Sequence, residues 1–357
     1  METLELTETA AELATRPTPP RALNRGPSPI ALVGLGVSIA FLYLFLRNVD
    51  WSALTASLAQ AHYIYVLPAL AVWFFGLWIR TLRWKLMVRH MKDVPMGRLL
   101  SAMSIGFMAT NLLPARVGEI VRAAALARTE RLKVSGVFAT IVVERIFDVL
   151  SILVFMVLVL LYLPARGEDA ATLQSLRMFG GLFAAVIAGA VLFLVLLRLY
   201  PARVKVALAP VLGRLPGGLA HHISAALDNF VEGLGMLSGW GEMAAISVLS
   251  LLLWLTIGMI NWVLAFAFEI EISVLGACMI FVVTAFAIAL PQAPSFIGVF
   301  HVAVETSLKL LHVGTVSAKS FAIVLWAISV LPSIFLGLWF LWRGGLSLGE
   351  LTETRVS

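Results

Sequence analysis

Two apolar regions of the sequence are each interrupted by a short segment containing proline, glycine and polar residues. The first interruption, residues 111–119, reads NLLPARVGE, and the second, residues 290–301, reads LPQAPSFIGVFH. The apolar stretches beside each interruption are too short to cross a bilayer alone. Unwound backbone survives at membrane depth only where protein or water satisfies it, and breaks at matching positions of two halves are typical of transport sites. The pattern therefore predicts a ligand site inside a membrane.

The composition supports a membrane protein. Of 357 residues, 61% are hydrophobic and only 13% are charged, whereas soluble domains are about one-quarter charged. The net charge of +6 does not predict nucleic-acid binding, because the basic residues cluster at the ends of apolar runs. There is no P-loop, nucleophile elbow, dinucleotide fingerprint or metal-ligand spacing of histidines. We expect no enzymatic activity, no metal and no cofactor.

The apolar runs predict an all-α integral membrane protein, a polytopic helix bundle. We expect a disordered cytosolic tail at residues 1–29, a membrane domain at residues 30–343 and a short cytosolic tail at residues 344–357. Full crossings are predicted at residues 30–46, 63–79, 134–163, 178–197, 243–268 and 316–342. Residues 201–218 are predicted to be interfacial, and residues 219–237 to form an amphipathic surface helix.

Loop charges predict the orientation. Lysine and arginine concentrate at residues 80–98, 128–133 and 198–214, so this side, with both termini, is expected to be cytoplasmic. The cytoplasmic loop that follows the second crossing includes Arg80 and Arg83. On the other side, Lys319 lies at a helix end and is expected to reach the interface.

The two interruptions predict re-entrant broken-helix hairpins at about residues 99–128 and 274–311. Three crossings separate them, and an odd number makes the hairpins enter from opposite sides. This is an inverted-topology repeat. We expect the two tips to approach each other near the midplane.

Charged residues follow the first break at helical spacing. Arg116, Glu119 and Arg122 share one face of a helix that begins after the break. The next helix carries Glu144, Arg145 and Asp148 at a depth where an unpaired charge costs on the order of 3 kcal/mol or more.

Two interpretations of these charges remain open. The acids and bases could simply lock two helices together. Alternatively, Arg116 beside a helix N-terminus forms an anion cradle, and the acids hold the arginines in place until a phosphate competes. An anionic lipid head group is the expected guest.

The second break carries a different set of polar residues. His301 and Glu305 share a helix face at a spacing of four. Gln292 and Ser295 are expected to satisfy unwound backbone at the break. The full set of candidate substrate-binding residues is Asn111, Arg116, Glu119, Arg122, Glu144, Arg145, Asp148, Gln292, Ser295, His301 and Glu305.

These motifs resemble the lysylphosphatidylglycerol synthetase transmembrane-region family, also called flippase-like integral membrane proteins. The resemblance covers residues 30–342 and is carried by residues 111–122, 143–148 and 294–298. It implies that the charged residues of the first two motifs belong to a lipid-handling core. Ser295 departs from the usual glycine, and His301 from the acid of many members. Fused members carry a soluble aminoacyl-transferring domain, and we expect that activity to be absent here.

Two functions follow as expectations. The first is a lipid translocase of a bacterial inner membrane, acting on a lipid with an anionic or polyprenyl-phosphate-type head group. The second is a non-transporting membrane partner of a glycosyltransferase or lipid-modifying enzyme. Binding of a membrane lipid is expected and nucleic-acid binding is not, while a partner enzyme and a homo-oligomer stay open.

Overall fold

The computed structural model describes residues 29–47, 49–113, 117–162, 199–213, 239–289 and 293–344, with scattered positions from 174 to 196. All regular elements in these residues are helical. They are α1 (Pro29–Leu46), α2 (Trp51–Gln60), α3 (Val66–Val88), α4 (Met96–Leu112), α5 (Gly118–Glu130), α6 (Val134–Tyr162), α7 (Pro201–Leu212), α8 (Trp240–Ala265), α9 (Val274–Ala287), α10 (Val299–Leu310) and α11 (Thr315–Gly344). The predicted tails, most of the crossing at 178–197 and the surface helix at 219–237 lie outside the described residues.

Four of these helices are long and apolar enough to span a bilayer. With short 3₁₀ turns included, the spans are Tyr63–Val88, Val134–Tyr162, Trp240–Phe268 and Thr315–Gly344, of 26 to 30 residues. Helices of this length exceed the roughly 30 Å hydrocarbon thickness. A fifth span is formed if α1 and α2, which meet at 87°, are counted together. The protein is an all-helical, multi-pass integral membrane protein.

Helix α3 continues to Val88, although the sequence predicts its end at residue 79. The prediction of a cytoplasmic loop containing Arg80 and Arg83 is therefore wrong. The side chain of Arg83 is fully buried. The apolar run ends at residue 79, so it could not predict the last turns of this helix. Carboxylates of α6 pair with the buried Arg83 and stabilise that continuation.

Glycines bring the helices of the first break together. A Cβ atom on Gly118 would lie 2.0 Å from Oγ1 of Thr110 and 2.3 Å from the carbonyl oxygen of Gly106. A Cβ atom on Gly106 would lie 2.5 Å from Cβ of Arg122. Only glycine permits this approach, so α5 packs along α4 directly after the break.

The second break is made by residues with positive φ. Ser295 and Phe296 have φ of 58° and 60°, and Gly298 has φ of 86°. A Cβ atom on Gly298 would lie 2.5 Å from the carbonyl oxygen of Ser38 on α1. The chain therefore leaves helical geometry between α9 and α10, and the start of α10 rests against α1.

Two buried apolar clusters support the two halves. One joins α3, α4, α5 and α6 through residues such as Trp84, Met103 and Leu126. The other joins α8, α10 and α11 through residues such as Leu264 and Phe321. Helix α8 packs against α3, and α11 packs against α4, so polar residues of both breaks come together between the halves.

Candidate functional site

Arg83 of α3 is the centre of a buried group of charges. Its Nη2 lies 3.0 Å from Oε1 of Glu144, and its Nη1 lies 2.7 Å from Oδ1 of Asp148. Both acids belong to α6. Nη1 also donates a 2.8 Å hydrogen bond to Oγ of Ser250 on α8. One arginine thus ties three helices together.

Glu144 also binds Arg122 of α5. Nη2 of Arg122 lies 2.7 Å from Oε2 of Glu144, and its guanidinium lies 3.7 Å from the ring centroid of Trp84. Trp84 is fixed in turn by a 2.9 Å hydrogen bond from Nε1 to Oγ1 of Thr140. An arginine that follows the first break therefore forms an ion pair with an acid of α6. Arg116, the other arginine predicted here, lies outside the described residues.

Arg145 connects the remaining acids. Its guanidinium lies 3.2 Å from Glu144, 3.4 Å from Asp148 and 3.5 Å from Glu119. Its side chain is 40% exposed, whereas those of Glu144 and Arg122 are at most 3% exposed. Together, these contacts define the ion cluster, which consists of Arg83, Glu119, Arg122, Glu144, Arg145 and Asp148. Arg145 and Glu119 form its accessible edge.

Arg80 adds a further positive charge beside the ion cluster. Its guanidinium lies 5.0 Å from the ring centroid of Phe107, and no carboxylate in the described part of the chain lies within ion-pair distance of it. Counting Arg80 with the ion cluster gives four guanidinium groups and three carboxylates among the described residues. Arginine stays protonated in proteins, so these residues carry one net positive charge.

A central cavity of about 360 Å³ opens beside these charges. Its lining includes the charged residues Arg80, Glu119, Arg122 and Arg145. Most of the remaining lining is apolar and includes Leu253, Ile257, Ile280 and Phe281. A mostly apolar cavity with cationic residues in its lining suits a ligand with an anionic group attached to an apolar chain.

The two breaks meet at the edge of this cavity. Oγ of Ser295 donates to the carbonyl oxygen of Asn111 at 2.8 Å, and Nε1 of Trp326 donates to the carbonyl oxygen of Ser295 at 2.8 Å. Nδ2 of Asn111 donates to Oγ of Ser333 at 2.8 Å, while its Oδ1 has no hydrogen-bond partner among the described residues. The breaks are therefore adjacent. Among the described residues, the side chain of Ser295 satisfies the carbonyl group of Asn111, and Trp326 of α11 satisfies that of Ser295.

Other residues predicted in the second break lie away from the ion cluster. His301 packs against Phe45 and Trp326, with ring centroids 5.0 and 5.7 Å apart. Glu305 forms ion pairs with Lys309 at 2.6 Å and Lys319 at 3.2 Å and lines a different cavity. Gln292 lies outside the described residues.

Lys319 does not extend to the interface, so that expectation is wrong. Only 4% of the residue is exposed, and its ammonium donates to the main-chain carbonyl of Phe45. The ion pair with Glu305 holds it inside. A lysine at a helix end extends to the interface only where no neighbouring helix offers an anion.

Arg80, Arg83 and Trp254 were not among the site residues predicted from the sequence. Nε1 of Trp254 donates to Oδ1 of Asp148 at 3.2 Å. The available signal was the spacing of three between Arg80 and Arg83, which places both on adjacent positions of one helix face. The concentration of basic residues in the following loop concealed it.

The geometry defines a multi-pass membrane domain with a buried arginine–carboxylate cluster beside an amphiphilic cavity. Residues 31–337 match the family described as Lysylphosphatidylglycerol synthase TM region, and the chain belongs to that family. The resemblance seen in the sequence motifs is confirmed.

One similar protein is Glycosyltransferase AglD from Haloferax volcanii, which is 28% identical over 153 residues. The aligned segment covers 42% of this chain and 24% of that protein, so the similarity spans about a quarter of the relative. No solved structure gives a significant match.

Proposed function

We propose that this protein binds and translocates a membrane lipid whose head group is anionic or of the polyprenyl-phosphate type. The observation that carries the proposal is the excess positive charge beside the central cavity. Arg80 is only partly exposed, and a charge withdrawn from water without an ion-pair partner is costly, so a site that keeps Arg80 unpaired favours an anionic ligand.

The cavity lining suits the two parts of such a lipid. Phosphate oxygens accept charge-assisted hydrogen bonds from guanidinium groups, and Arg80, Arg122 and Arg145 belong to the lining. The acyl or prenyl chain would lie against apolar lining residues such as Leu253 and Phe281. A soluble anion would gain nothing from these apolar residues.

The acids of α6 have a positioning role in this proposal. Glu144 and Asp148 fix Arg83 and Arg122 by contacts of 3.0 Å or less. Arg145 is held by longer contacts of 3.2 to 3.5 Å and can exchange Glu119 for a phosphate at small cost. Arg83 is the permanent anchor, and Arg80 and Arg145 are the head-group ligands.

The chain itself would carry out no bond-making chemistry in this proposal. The proposed location is a bacterial inner membrane. Both termini would be cytoplasmic, because lysine and arginine concentrate in the loops on one side. The first broken pair, α4 and α5, would enter from that side, and α9 and α10 from the other.

A second candidate is a non-transporting membrane partner of a glycosyltransferase or lipid-modifying enzyme. The similarity to Glycosyltransferase AglD favours it, because the matched segment there is about a quarter of a longer protein. In this case the central cavity would hold a lipid for an enzyme without moving it across the membrane.

Lipid transfer in reconstituted vesicles tests the proposal. Arg80→Gln should reduce transfer of a labelled phospholipid with a phosphomonoester head by about tenfold or more, since one charge-assisted contact is lost. Arg343→Gln removes an exposed arginine at the end of α11 and should leave transfer unchanged. Normal transfer by folded Arg80→Gln would contradict the proposal.

The two candidates differ in what the purified chain does alone. Transfer by the wild-type chain in vesicles of pure lipid supports translocation. If a lipid co-purifies with the chain by native mass spectrometry but is never transferred, the result favours the partner function.

A further inference from the structure

A basic surface lies where α3 and α5 end and where α4 and α6 begin. Residues 85–98 contain the last residues of α3, a turn and the start of α4, and residues 130–133 join α5 to α6. These two segments together form the basic face. Its cations are Lys85, Arg89, Lys92, Arg98, Arg131 and Lys133. None of these residues lines the central cavity or belongs to the ion cluster.

Carboxylates neutralise only half of this charge. Glu130 is shared between two of the cations, and two other cations pair with Asp93 and with Glu242 of α8. Arg131 and Lys133 are exposed, and no carboxylate among the described residues lies within ion-pair distance of either. Six cations therefore face three carboxylates in the described part of this surface.

Two helix N-termini add to the positive potential of the basic face. Helices α4 and α6 begin here, at Met96 and Val134. Neither helix has an acidic residue in its first turn, and no side chain caps the start of α4. Each N-terminus carries roughly half a positive elementary charge, which falls off within the first turn. A negatively charged partner would therefore gain from the cations and from both helix ends.

The chain itself contains a segment of the opposite charge. Residues 1–15, which lie outside the described residues, carry four glutamates and neither lysine nor arginine. The glutamates are Glu2, Glu5, Glu8 and Glu12. Their spacing of three, three and four would place all four on one face of a helix. Polar segments that cannot bury a core of their own fold when they bind a partner.

Helix α1 begins at the end of the molecule that carries the basic face. Phe45, near the end of α1, accepts from Lys319 in the second turn of α11, and the last turns of α11 pack against the apolar cluster that contains Val94 of the basic face. Ser38, near the middle of α1, accepts from the main-chain nitrogen of Ala293 in the second break at 2.7 Å. Helix α1 therefore runs from the end with the basic face, past the breaks, to the opposite end.

The connecting residues are long enough to bring the acidic segment onto the basic face. Helix α1 is linked to α5 through successive neighbours α10, α11 and α4, and four spacings of about 8–10 Å separate the first from the last. Sixteen residues, four of them proline, join Glu12 to the start of α1 at Pro29. Proline-rich linkers extend by about 3.1 Å per residue, so this one spans up to about 50 Å.

We propose that residues 1–15 dock on the basic face and cover the turn between α5 and α6. The glutamates pair with Arg131 and Lys133 and lie near the N-termini of α4 and α6. Tethering favours this occupant over a free acidic partner, because a short linker holds the segment at an effective concentration in the millimolar range. The docked segment contacts the end of the first broken pair, and this inference does not rest on lipid translocation.

Disulfide formation in the full chain tests the docking. Cys278→Ala removes the single cysteine, and Thr9→Cys with Ser135→Cys then places one thiol in the acidic segment and one at an exposed position of α6 beside Lys133. Under mild oxidation in phosphatidylcholine vesicles, an intramolecular disulfide should form, and mass spectrometry of the linked peptides measures its rate. Thr9→Cys with Thr315→Cys, at the opposite end of the molecule, should give no such disulfide.

Charge variants separate docking from random encounter of the two thiols. Replacing the four glutamates by glutamine should slow the disulfide by about fivefold or more, because several surface ion pairs are lost together. Arg131→Gln combined with Lys133→Gln should slow it similarly. Arg343→Gln removes an exposed arginine at the end of α11 and should leave the rate unchanged. An unchanged rate in both the glutamine and the Arg131 and Lys133 variants overturns the docking.

Anionic vesicles test whether lipid head groups occupy the basic face instead. In vesicles of phosphatidylcholine mixed with phosphatidylglycerol, the tethered segment should still form the disulfide at a rate within about threefold of that in phosphatidylcholine alone. Loss of the disulfide in the anionic vesicles would assign the basic face to membrane lipids and overturn the proposal.

Discussion

The hydroxyl group of Ser295 donates a 2.8 Å hydrogen bond to the main-chain carbonyl of Asn111. The two residues are 184 positions apart, and each belongs to one of the two helix breaks. Their contact lies beside the cavity that the ion cluster borders, because Asn111 itself lines that cavity. Movement of either broken pair would therefore strain or break this hydrogen bond to the other pair.

Substitutions of Ser295 should separate backbone strain from this hydrogen bond. Ser295→Ala keeps a side chain at φ of 58° and removes the bond, so we expect a loss of about 1–2 kcal/mol in unfolding free energy. Ser295→Gly removes the bond but relieves the strain, so its stability should be nearer to wild type. Ser307→Ala is the control, because this buried serine bonds only within its own helix. Equal stability of the alanine and glycine variants would contradict the strain argument.

Charge pairing in the ion cluster predicts that a double mutant recovers stability but not lipid transfer. Glu144→Gln leaves Arg83 and Arg122 with one carboxylate fewer, which should destabilise the protein by about 3–5 kcal/mol. Adding Arg122→Gln should recover much of that stability without restoring lipid transfer. Thermal unfolding and vesicle transfer measure the two effects. Full recovery of transfer in the double mutant would show that the cluster is only a structural lock.

The close approach of α4 and α5 predicts a severe effect of a single methyl group. Gly118→Ala would place Cβ 2.0 Å from Oγ1 of Thr110, so we expect misfolding or a loss of several kcal/mol. Gly97→Ala lies on α4 with no atom within 4 Å of the new Cβ and should be neutral or stabilising by up to about 1 kcal/mol. Similar melting temperatures for the two variants would exclude the tight packing.

Glu130 predicts a pH dependence of stability. Burial raises the pKa of this carboxyl, but hydrogen bonds from Lys92 and Arg98 outweigh that effect and hold the pKa below 4.5. The contacts are 2.7 and 2.6 Å long and lie at the C-terminal end of α5. Because the folded-state pKa is lowered, the stabilisation is present above about pH 4.5 and is lost as the pH falls through the lowered pKa.

Melting temperatures between pH 7 and pH 3 test this effect. Glu130→Gln should melt lower than wild type at pH 7 and lose less on acidification. Asp93→Asn is the control, because the Asp93 carboxylate is 76% exposed in its pair with Lys85, and exposed pairs contribute little. A parallel pH profile for Glu130→Gln and wild type would refute the assignment.

If the two broken pairs form the proposed inverted repeat, they should be accessible from opposite sides of the membrane. After replacement of Cys278, a single cysteine near Arg131 should react with a membrane-impermeant reagent only from the cytoplasm. One near Val313 should react only from outside. Labelling from the same side at both positions would exclude the inverted topology.

The sequence by itself determined the membrane class, both breaks and the charged residues that follow the first break. These features depend on apolar run length, proline and glycine positions and helical spacing, which are local properties of the chain. The bounds of α6 and α11 follow closely from the apolar pattern for the same reason.

The tertiary structure decided which charges are partners. Arg83 and Lys319 both lie at the ends of predicted apolar runs, where basic residues usually face water. In the structure Arg83 instead binds Glu144 and Asp148, and Lys319 binds Glu305. Likewise, the hydroxyl group of Ser295 donates its hydrogen bond to the main-chain carbonyl of Asn111 and not to the backbone of its own segment. A buried ion pair or hydrogen bond depends on which helices become neighbours, and that is set by packing across the whole molecule.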